Sequence, residues 1–313
     1  MKTRMMWAIA VVSACALTGT EQVANAAVDL AKMPIRKTLN RAMALADYGN
    51  NKIHILNKAG DIVWQYPAER PQDVWVLPNG NILFSHLRGA TEVTRAKKVV
   101  WTYSVPNTSE VHACQPLPNG TVMVAESGPM QILEVDRQGQ VIKTVKLQSN
   151  ETNSHRQMRC VRKRPNGNYL VGQYFDHVIR EYGPDGRIIK AWKHSDAFGG
   201  IPIAGGRLLC ACGDAHRLIE YDADGKVVWE VTENDLKDNP LRLVAGLFRL
   251  SNGNTLICNW GGHGYVGQQP QVVEITPDKK VVGELYDFHH MGTITAIYVI
   301  DDPRDPTQFE VTR

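Results

Sequence analysis

The chain lacks the features that mark several common classes of protein. Its formal net charge is only +3 over 313 residues, so it has no excess of positive charge of the kind that a nucleic-acid-binding surface requires. No stretch after the N-terminal region approaches the roughly 18 consecutive apolar residues of a membrane span, and no glycine-rich phosphate loop precedes a helix-like segment. A nucleic-acid partner, a membrane span and a phosphate-loop enzyme are therefore not expected.

Cysteine is scarce as well. Five cysteines follow the first 26 residues, and no two of them form a Cys-x-x-Cys pair: Cys114, Cys160, Cys210, Cys212 and Cys258. An odd number argues against a fully paired disulfide framework. These residues are expected to be small buried side chains on strands, with one disulfide between neighbouring structural units as the alternative.

The first 26 residues have the pattern of an export signal. A short basic region precedes an apolar stretch from Met5 to Leu17, and Ala24-Asn25-Ala26 is a small-x-small cleavage site. The prediction is a signal peptide at residues 1–26 and a single exported domain at 27–313, periplasmic or secreted and monomeric. In the alternative, Val12-Ser13-Ala14-Cys15 is a lipoprotein box and Cys15 carries a lipid anchor.

One motif recurs along the rest of the chain at intervals of 39 to 47 residues. It places a turn, mostly of the Asn-Gly type, between two apolar runs, which is the pattern of a β-hairpin. These turns end at Gly80, Gly120, Gly167, Gly206 and Gly253. A second turn lies between successive copies, as at Asp224-Gly225, and a β-rich run follows it. Each unit of about 40 residues therefore holds four short strands.

Such units predict an all-β fold, a six-bladed β-propeller in which each four-stranded sheet is one blade. Five full units run from about residue 71 to 292. The segment from Ile294 to Ile300 supplies one strand of the sixth blade and the segment from Arg41 to Tyr66 the other three, so both ends of the chain share the closing blade. A pair of β-sandwiches or an incomplete solenoid is the alternative, but neither explains why one unit is divided between the two ends.

Nine of the ten histidines fall in or beside the loops at one end of the predicted ring. They are His86, His112, His155, His177, His194, His216, His263, His289 and His290. His54 lies inside a strand, and the turns that end in glycine lie at the opposite end. Histidine transfers protons near neutral pH and binds metals, so the asymmetry predicts a ligand site on the histidine-rich face.

Alignment of the units on their turn glycine reveals a mostly polar position near the end of the second strand. Polar side chains from different blades at one mouth of a propeller can form a pocket on a rigid frame. From this position, Glu126 and His86 are candidate catalytic groups, and Asp47, Gln173 and Asn259 are candidate ligand-binding groups.

A second position lies at the start of the innermost strand. There His112 is a candidate general acid or base, and Arg159 is a candidate anion clamp. Tyr174 and Trp260, which follow Gln173 and Asn259, are candidate ligand-binding groups that would stack on a sugar or aryl ring, and packing between blades is the alternative. The long glycine-rich loop after Trp260 makes His263 a further catalytic candidate.

A bound metal ion such as copper or zinc stays possible, because several imidazoles lie at one mouth. No His-x-His or His-x-x-x-His spacing indicates a ligand set, so no metal-binding residue is assigned.

Several segments resemble the repeats of known propeller families. Val111 to Gly120 and Arg164 to Val171 resemble repeats of bacterial arylsulfotransferase-type propellers, and Asp224 to Trp229 is similar to repeats of quinoprotein-like propellers. The likeness consists mainly of blade-building residues. In the sulfotransferases a channel histidine carries the sulfuryl group, a role that the resemblance implies for His112, although Ala113-Cys114 follow where that family commonly has an acidic residue. The quinone-dependent propellers have larger rings, so a quinone cofactor is not expected.

Together these features favour an exported enzyme that acts on a small polar or carbohydrate-like substrate at the histidine-rich mouth, by lyase, hydrolase or group-transfer chemistry. A binding module for glycans or other ligands, a sulfuryl transferase and a protein-interaction scaffold are the alternatives.

Overall fold

The computed structural model describes residues 28–238 and 241–302, which form six antiparallel β-sheets. The predicted signal peptide and Cys15 lie outside the described residues. A short helix, α1 (Ser154–Gln157), and three turns of 3-10 helix are the helical segments of the described part. Within that part, no helix is long and apolar enough to span a bilayer. The all-β prediction is confirmed.

The strands are numbered in chain order. The N-terminal strands are β1 (Arg36–Lys37), β2 (Met43–Asp47), β3 (Lys52–Leu56) and β4 (Ile62–Pro67). Blade 1 holds β5 (Asp73–Val76), β6 (Ile82–His86), β7 (Gly89–Val93) and β8 (Val99–Ser104). Blade 2 holds β9 (Glu110–Pro116), β10 (Val122–Ser127), β11 (Gln131–Val135) and β12 (Val141–Lys146). Blade 3 holds β13 (Val161–Lys163), β14 (Tyr169–Gln173), β15 (Val178–Tyr182) and β16 (Ile188–Lys193).

The second half of the ring has the same plan. Blade 4 holds β17 (Gly199–Ile203), β18 (Arg207–Ala211), β19 (Arg217–Tyr221) and β20 (Val227–Thr232). Blade 5 holds β21 (Val244–Arg249), β22 (Thr255–Asn259), β23 (Val272–Ile275) and β24 (Val281–Tyr286), and β1 adds a fifth strand to its outer edge. Blade 6 consists of β25 (Ile294–Val299) followed by β2, β3 and β4.

Both ends of the chain close the ring, as the sequence predicts. β25 pairs with β2 in antiparallel register, with Leu45 opposite Ile297. Each innermost strand contacts the innermost strand of the next blade, and β25 contacts β5 to complete the circle. The six-bladed propeller with a closing blade shared between the two termini is therefore confirmed.

Burial follows position within the blade. The second and third strands are buried almost throughout, because neighbouring blades cover both of their faces. Outermost strands lie at the circumference and expose alternate or paired aliphatic residues, such as Ile142 and Ile189. The cysteines match the prediction: Cys114, Cys210, Cys212 and Cys258 are buried, Cys160 is half-buried, and none of these five forms a disulfide.

A buried ion pair links two blades near the axis. Arg162 on β13 donates from Nη1 to Asp73 Oδ2 at 2.8 Å and from Nη2 to Asp73 Oδ1 at 3.1 Å. Its guanidinium also lies over the ring of Trp75, 5.3 Å from the centroid. Because Asp73 starts β5, this bidentate contact joins blade 1 to blade 3 across the inner strand of blade 2.

The recurring hairpin turns require glycine, and Gly120 offers a clean test. It has φ of +84°, and an added Cβ would meet no atom within 4 Å, so only backbone strain opposes a side chain. Gly120→Ala should lower the free energy of unfolding by about 1–2 kcal/mol, the cost of a left-handed conformation for an L-residue. Denaturant unfolding would measure it. Val141→Thr, at an exposed position of the same blade, should change it by less than about 0.5 kcal/mol; equal stability of both variants and the wild type would contradict this account.

Candidate active site

A cavity of about 330 Å³ opens at the end of the ring where the chain passes from one blade to the next. Its aromatic lining consists of Tyr48, Tyr174, Phe175, Phe198 and Trp260. Its polar lining consists of Gln72, His155, Arg156, Arg159, His263 and Thr295. The volume is in the range of small-molecule sites in proteins, and an aromatic wall with a few convergent polar groups is typical of them.

Three of the aromatic side chains occupy equivalent places in their blades. Tyr48, Tyr174 and Trp260 each directly follow the last residue of the second strand of blades 6, 3 and 5. The rings of Tyr48 and Trp260 meet edge to face, with centroids 5.7 Å apart. All three side chains line the cavity and supply most of its apolar wall, together with Phe175 and Phe198.

Two glycines make room for that wall. Gly213 lies seven residues after the turn glycine of blade 4, as Tyr174 does in blade 3, and a Cβ there would lie 2.3 Å from the ring of Tyr174. A Cβ on Gly262 would lie 1.7 Å from the ring of Trp260. Any side chain at either glycine would therefore displace an aromatic residue from the cavity.

Arg159 lies deep in the cavity beside the ring of Tyr174, whose centroid is 5.9 Å away. Its Nη1 group donates to the carbonyl oxygens of His155 and Met158, and it lies 2.9 Å from Nδ1 of His112. Nε and Nη2 make no hydrogen bond to any described residue, and no described carboxylate lies within 4 Å of the guanidinium. Burial lowers the pKa of Arg159 to about 10, so the side chain stays charged at neutral pH.

Glu110 contacts two histidines. Its Oε2 atom lies 2.9 Å from Nε2 of His112 and 2.8 Å from Nδ1 of His155. His112 is fully buried, and its Nδ1 atom is 2.6 Å from the carbonyl oxygen of Met158. Burial, assisted by the positive charge of Arg159, lowers the pKa of His112 to about 4. Burial alone would raise the pKa of Glu110, but the close contacts with the imidazoles of His112 and His155 outweigh it and hold this pKa well below its usual value.

A second carboxylate holds a second histidine of the cavity. Asp214, in the loop between β18 and β19, lies with Oδ2 2.9 Å from Nδ1 of His263. The hydroxyl of Tyr174 donates to the same oxygen at 2.5 Å. Burial raises the pKa of Tyr174, and the hydrogen bond to Asp214 raises it further. The network therefore joins blades 3, 4 and 5 and leaves Nε2 of His263 without a partner among the described residues.

Four of the residues predicted from sequence line the cavity: Arg159, Tyr174, Trp260 and His263. His112 lies behind the wall. Both of its ring nitrogens are in contact with other groups, so the cavity does not reach it directly.

The other five predicted residues do not line the cavity; they are His86, Glu126, Asp47, Gln173 and Asn259. Each is hydrogen-bonded within or beside its own blade, with partners Thr91, Gln131, His54, Tyr182 and the backbone of Arg242 respectively. They are the last residues of second strands, or next to last, where side chains point between packed blades. In three of these blades the residue that lines the cavity comes one place later, at Tyr48, Tyr174 and Trp260.

Sequence reasoning missed Tyr48, Glu110, His155 and Asp214 as parts of this site. Two signals were available. Glu110 and His112 are two apart, which places both on one face of a strand. Tyr48 repeats the aromatic position of Tyr174 and Trp260. No local pattern connects Asp214 with His263, because the contact joins two blades.

The fold and the cavity together define a six-bladed propeller with a cavity at one mouth. Residues 93–280 match the model of the Mal s 1 allergenic protein-like family, which is more than half of the chain. The chain therefore belongs to the Mal s 1 allergenic protein-like family. This match supports the propeller fold but not the resemblance to arylsulfotransferase-type or quinoprotein-like propellers.

Solved structures show the same architecture. A protein of unknown function from Bacteroides caccae is 35% identical, with a TM-score of 0.77 over 82% of this chain and 98% of that one. Streptogramin B lyase is 13% identical, with a TM-score of 0.57 over 81% of this chain and 82% of its own. A catalytically inactive variant of virginiamycin B lyase from Staphylococcus aureus, with quinupristin, is 12% identical, with a TM-score of 0.58 over 86% and 95%. The two lyases share the fold alone. No curated protein matches the chain.

Proposed function

We propose that the chain is an exported enzyme that acts on a small acidic sugar, or on a ring-bearing carboxylate of similar size, by proton abstraction and elimination. The observation that carries the proposal is Arg159. It is a charged guanidinium deep in an aromatic cavity, and two of its three nitrogens have no hydrogen-bond partner in the described part of the chain. An anionic group of a ligand is the natural partner for it.

The aromatic wall supports a ring as the rest of the ligand. Tyr48, Tyr174 and Trp260 offer flat apolar surfaces around the guanidinium, and such surfaces stack on sugar or aryl rings. A carboxylate bound to Arg159 would therefore carry a ring that packs against these side chains. An acidic sugar combines both parts in one small molecule.

The polar lining favours elimination over hydrolysis or nucleophilic attack. Hydrolysis of a glycoside commonly uses two carboxylates at the cavity wall, and among the described residues no Asp or Glu lines this one. No described serine or cysteine lines it either. A histidine whose Nδ1 is held by a carboxylate, with Nε2 open to the ligand, is instead the arrangement of a general base.

His263 is the proposed base. Its Nε2 atom would take the proton from the carbon next to the carboxylate, and the electron pair left behind would form a carbon–carbon double bond. The bond from the neighbouring carbon to its oxygen substituent then breaks, and that oxygen takes a proton from water. Arg159 stabilises the negative charge that builds up on the carboxylate in the transition state. Streptogramin B lyase supports the proposal only in that the same fold can hold a lyase.

Binding of a matched pair of probes tests the anion site. Arg159→Met should weaken binding of para-nitrophenyl β-D-glucuronide by about 10- to 100-fold, because a charge-assisted hydrogen bond contributes about 1.5–3 kcal/mol. Titration calorimetry would measure both affinities. The uncharged para-nitrophenyl β-D-glucoside should bind the wild type weakly, and the substitution should not change its affinity.

Arg156→Met is the matched control. Arg156 also lines the cavity, but it lies over Phe175 and pairs with Glu151 at 3.3 Å, so a ligand carboxylate has less to gain from it. Its replacement should change the affinity for the glucuronide by less than about threefold. Equal effects of the two substitutions, or equal affinities for the two probes, would refute the anion site.

A further inference from the structure

We propose that Glu110, His112 and His155 form a binding site for one zinc-class dication in the wall of the cavity. The site is independent of the elimination chemistry proposed above. It would hold a cation whether the cavity catalyses a reaction or only binds a ligand.

The chain brings the three donor atoms together by two local devices. Glu110 and His112 are two residues apart on β9, so both side chains lie on the same face of the strand. α1 delivers His155, whose backbone N–H donates to the side chain of Asn153 at the start of the helix. The carboxylate oxygen and the two imidazole nitrogens all lie within 4.8 Å of one another.

The hydrogen-bonding requirements of His112 point to a positive charge between the donors. Nδ1 of His112 lies 2.6 Å from the Met158 carbonyl oxygen, which can only accept, and 2.9 Å from Nη1 of Arg159, which can only donate. Because Nη1 of Arg159 already donates to the carbonyl oxygens of His155 and Met158, the shorter contact with Met158 assigns the hydrogen to Nδ1. In the neutral ring the other nitrogen, Nε2, then presents a lone pair to a carboxylate oxygen of Glu110 at 2.9 Å. Two acceptors at that distance need a proton or a metal ion between them.

The contact between Nδ1 of His112 and the Met158 carbonyl oxygen is of the kind that usually orients a metal-binding histidine. Ligating imidazoles generally donate from their second nitrogen to a carbonyl or a carboxylate, which orients the ring. Here Met158 provides the carbonyl for His112. His155 lines the cavity with a side chain that is 42% exposed, so an ion bound to it would face the cavity on its open side.

The donor set selects the metal. Two imidazoles and one carboxylate with an open position are typical of catalytic zinc sites, whereas magnesium prefers oxygen ligands and keeps its water. Zinc lies about 2.0–2.2 Å from such ligands, so the donors must be roughly 3–3.5 Å apart. The contacts of 2.8 and 2.9 Å then widen by a few tenths of an ångström, which the half-exposed side chain of His155 can accommodate.

Zinc binding to the purified full chain tests the site. After treatment with a chelator, the wild type should bind one Zn²⁺ per chain by titration calorimetry and by elemental analysis, and the ion should raise its midpoint of thermal unfolding. Mg²⁺ should bind far more weakly. Glu110→Gln and His155→Gln should each weaken Zn²⁺ binding by at least about 100-fold, since even the groups behind a ligand contribute 10- to 100-fold.

Three controls make the result decisive. His263→Asn, in the same cavity but outside the cluster, should bind Zn²⁺ like the wild type. The thermal unfolding of the metal-free Glu110→Gln and His155→Gln variants shows that they are folded.

Two results would overturn the site. If the wild type binds no zinc, a proton joins Glu110 to His112, and if both variants bind zinc as well as the wild type does, the metal lies elsewhere. Glucuronide binding through Arg159 is measured separately, so failure of the proposed anion site can be distinguished from failure of the zinc site.

Discussion

Replacing Asp73 with asparagine should lower the free energy of unfolding by about 3–5 kcal/mol, because the substitution leaves Arg162 buried without its anionic partner. Both side chains are buried, at 1% and 6% exposure, so water cannot replace the lost carboxylate. A change of this size corresponds to a decrease of roughly 6–10 °C in the midpoint of thermal unfolding. Calorimetry or circular dichroism on the purified chain would measure it.

The double variant Asp73→Asn/Arg162→Met distinguishes two causes of lost stability: the loss of the ion-pair interaction and the burial of an unpaired charge. Removing both charged groups should restore part of the stability, since buried ion pairs can often be replaced by apolar residues at little cost. Arg187→Met is the surface control. Its pair with Asp185 at 3.5 Å is exposed, so the change should stay below about 1 kcal/mol. If the Asp73→Asn variant is as stable as the wild type, the ion pair between Asp73 and Arg162 does not hold blades 1 and 3 together.

Replacing His263 with asparagine should reduce turnover by about 100- to 10,000-fold, the range that a positioned general base contributes. Disaccharides of uronic acids are the test substrates. Elimination gives a double bond conjugated with the carboxylate, so the rise in ultraviolet absorbance measures the rate. Glucuronide affinity should change little, because Arg159 and the aromatic wall remain.

His177→Asn is a closely matched control. His177 also lies in a loop between second and third strands, has φ of +53° against +57° for His263, and faces an aspartate, Asp196. It does not line the cavity, so its replacement should leave the rate unchanged. Asparagine tolerates this backbone conformation at both positions.

The same experiment separates the enzyme from the binding module. If the wild type binds the glucuronide through Arg159 but forms no unsaturated product from any uronic-acid disaccharide, the elimination mechanism is wrong and the cavity is a binding site for acidic ligands. Loss of turnover in both histidine variants would instead indicate a general disturbance of the mouth.

The fold could be read from the sequence because its signals are local and repeated. Each turn from Gly80 to Gly253 marks a hairpin, and the spacing between them counts the blades. The division of the last unit between residues near 41 and near 300 then requires that the termini meet in one sheet. None of these steps depends on knowing which side chain touches which.

The site was only partly predictable. Arg159, Tyr174, Trp260 and His263 line the cavity, because repeat alignment and loop length identify the right face of the ring. Gln173, one place too early at the end of β14, lies instead against Tyr182. A shift of one residue in a strand reverses the direction of a side chain, and repeat alignment does not resolve which residue is the last of its strand.

By itself, the sequence determined the number of blades, the closure of the ring and the face on which the histidines gather, since each of these depends on spacing along the chain. The tertiary structure alone decided which carboxylate meets which imidazole: Glu110 with His112 and His155, and Asp214 with His263. The physical reason is that these contacts form between segments up to 49 residues apart, brought together by blade packing and by the exact point at which each strand ends.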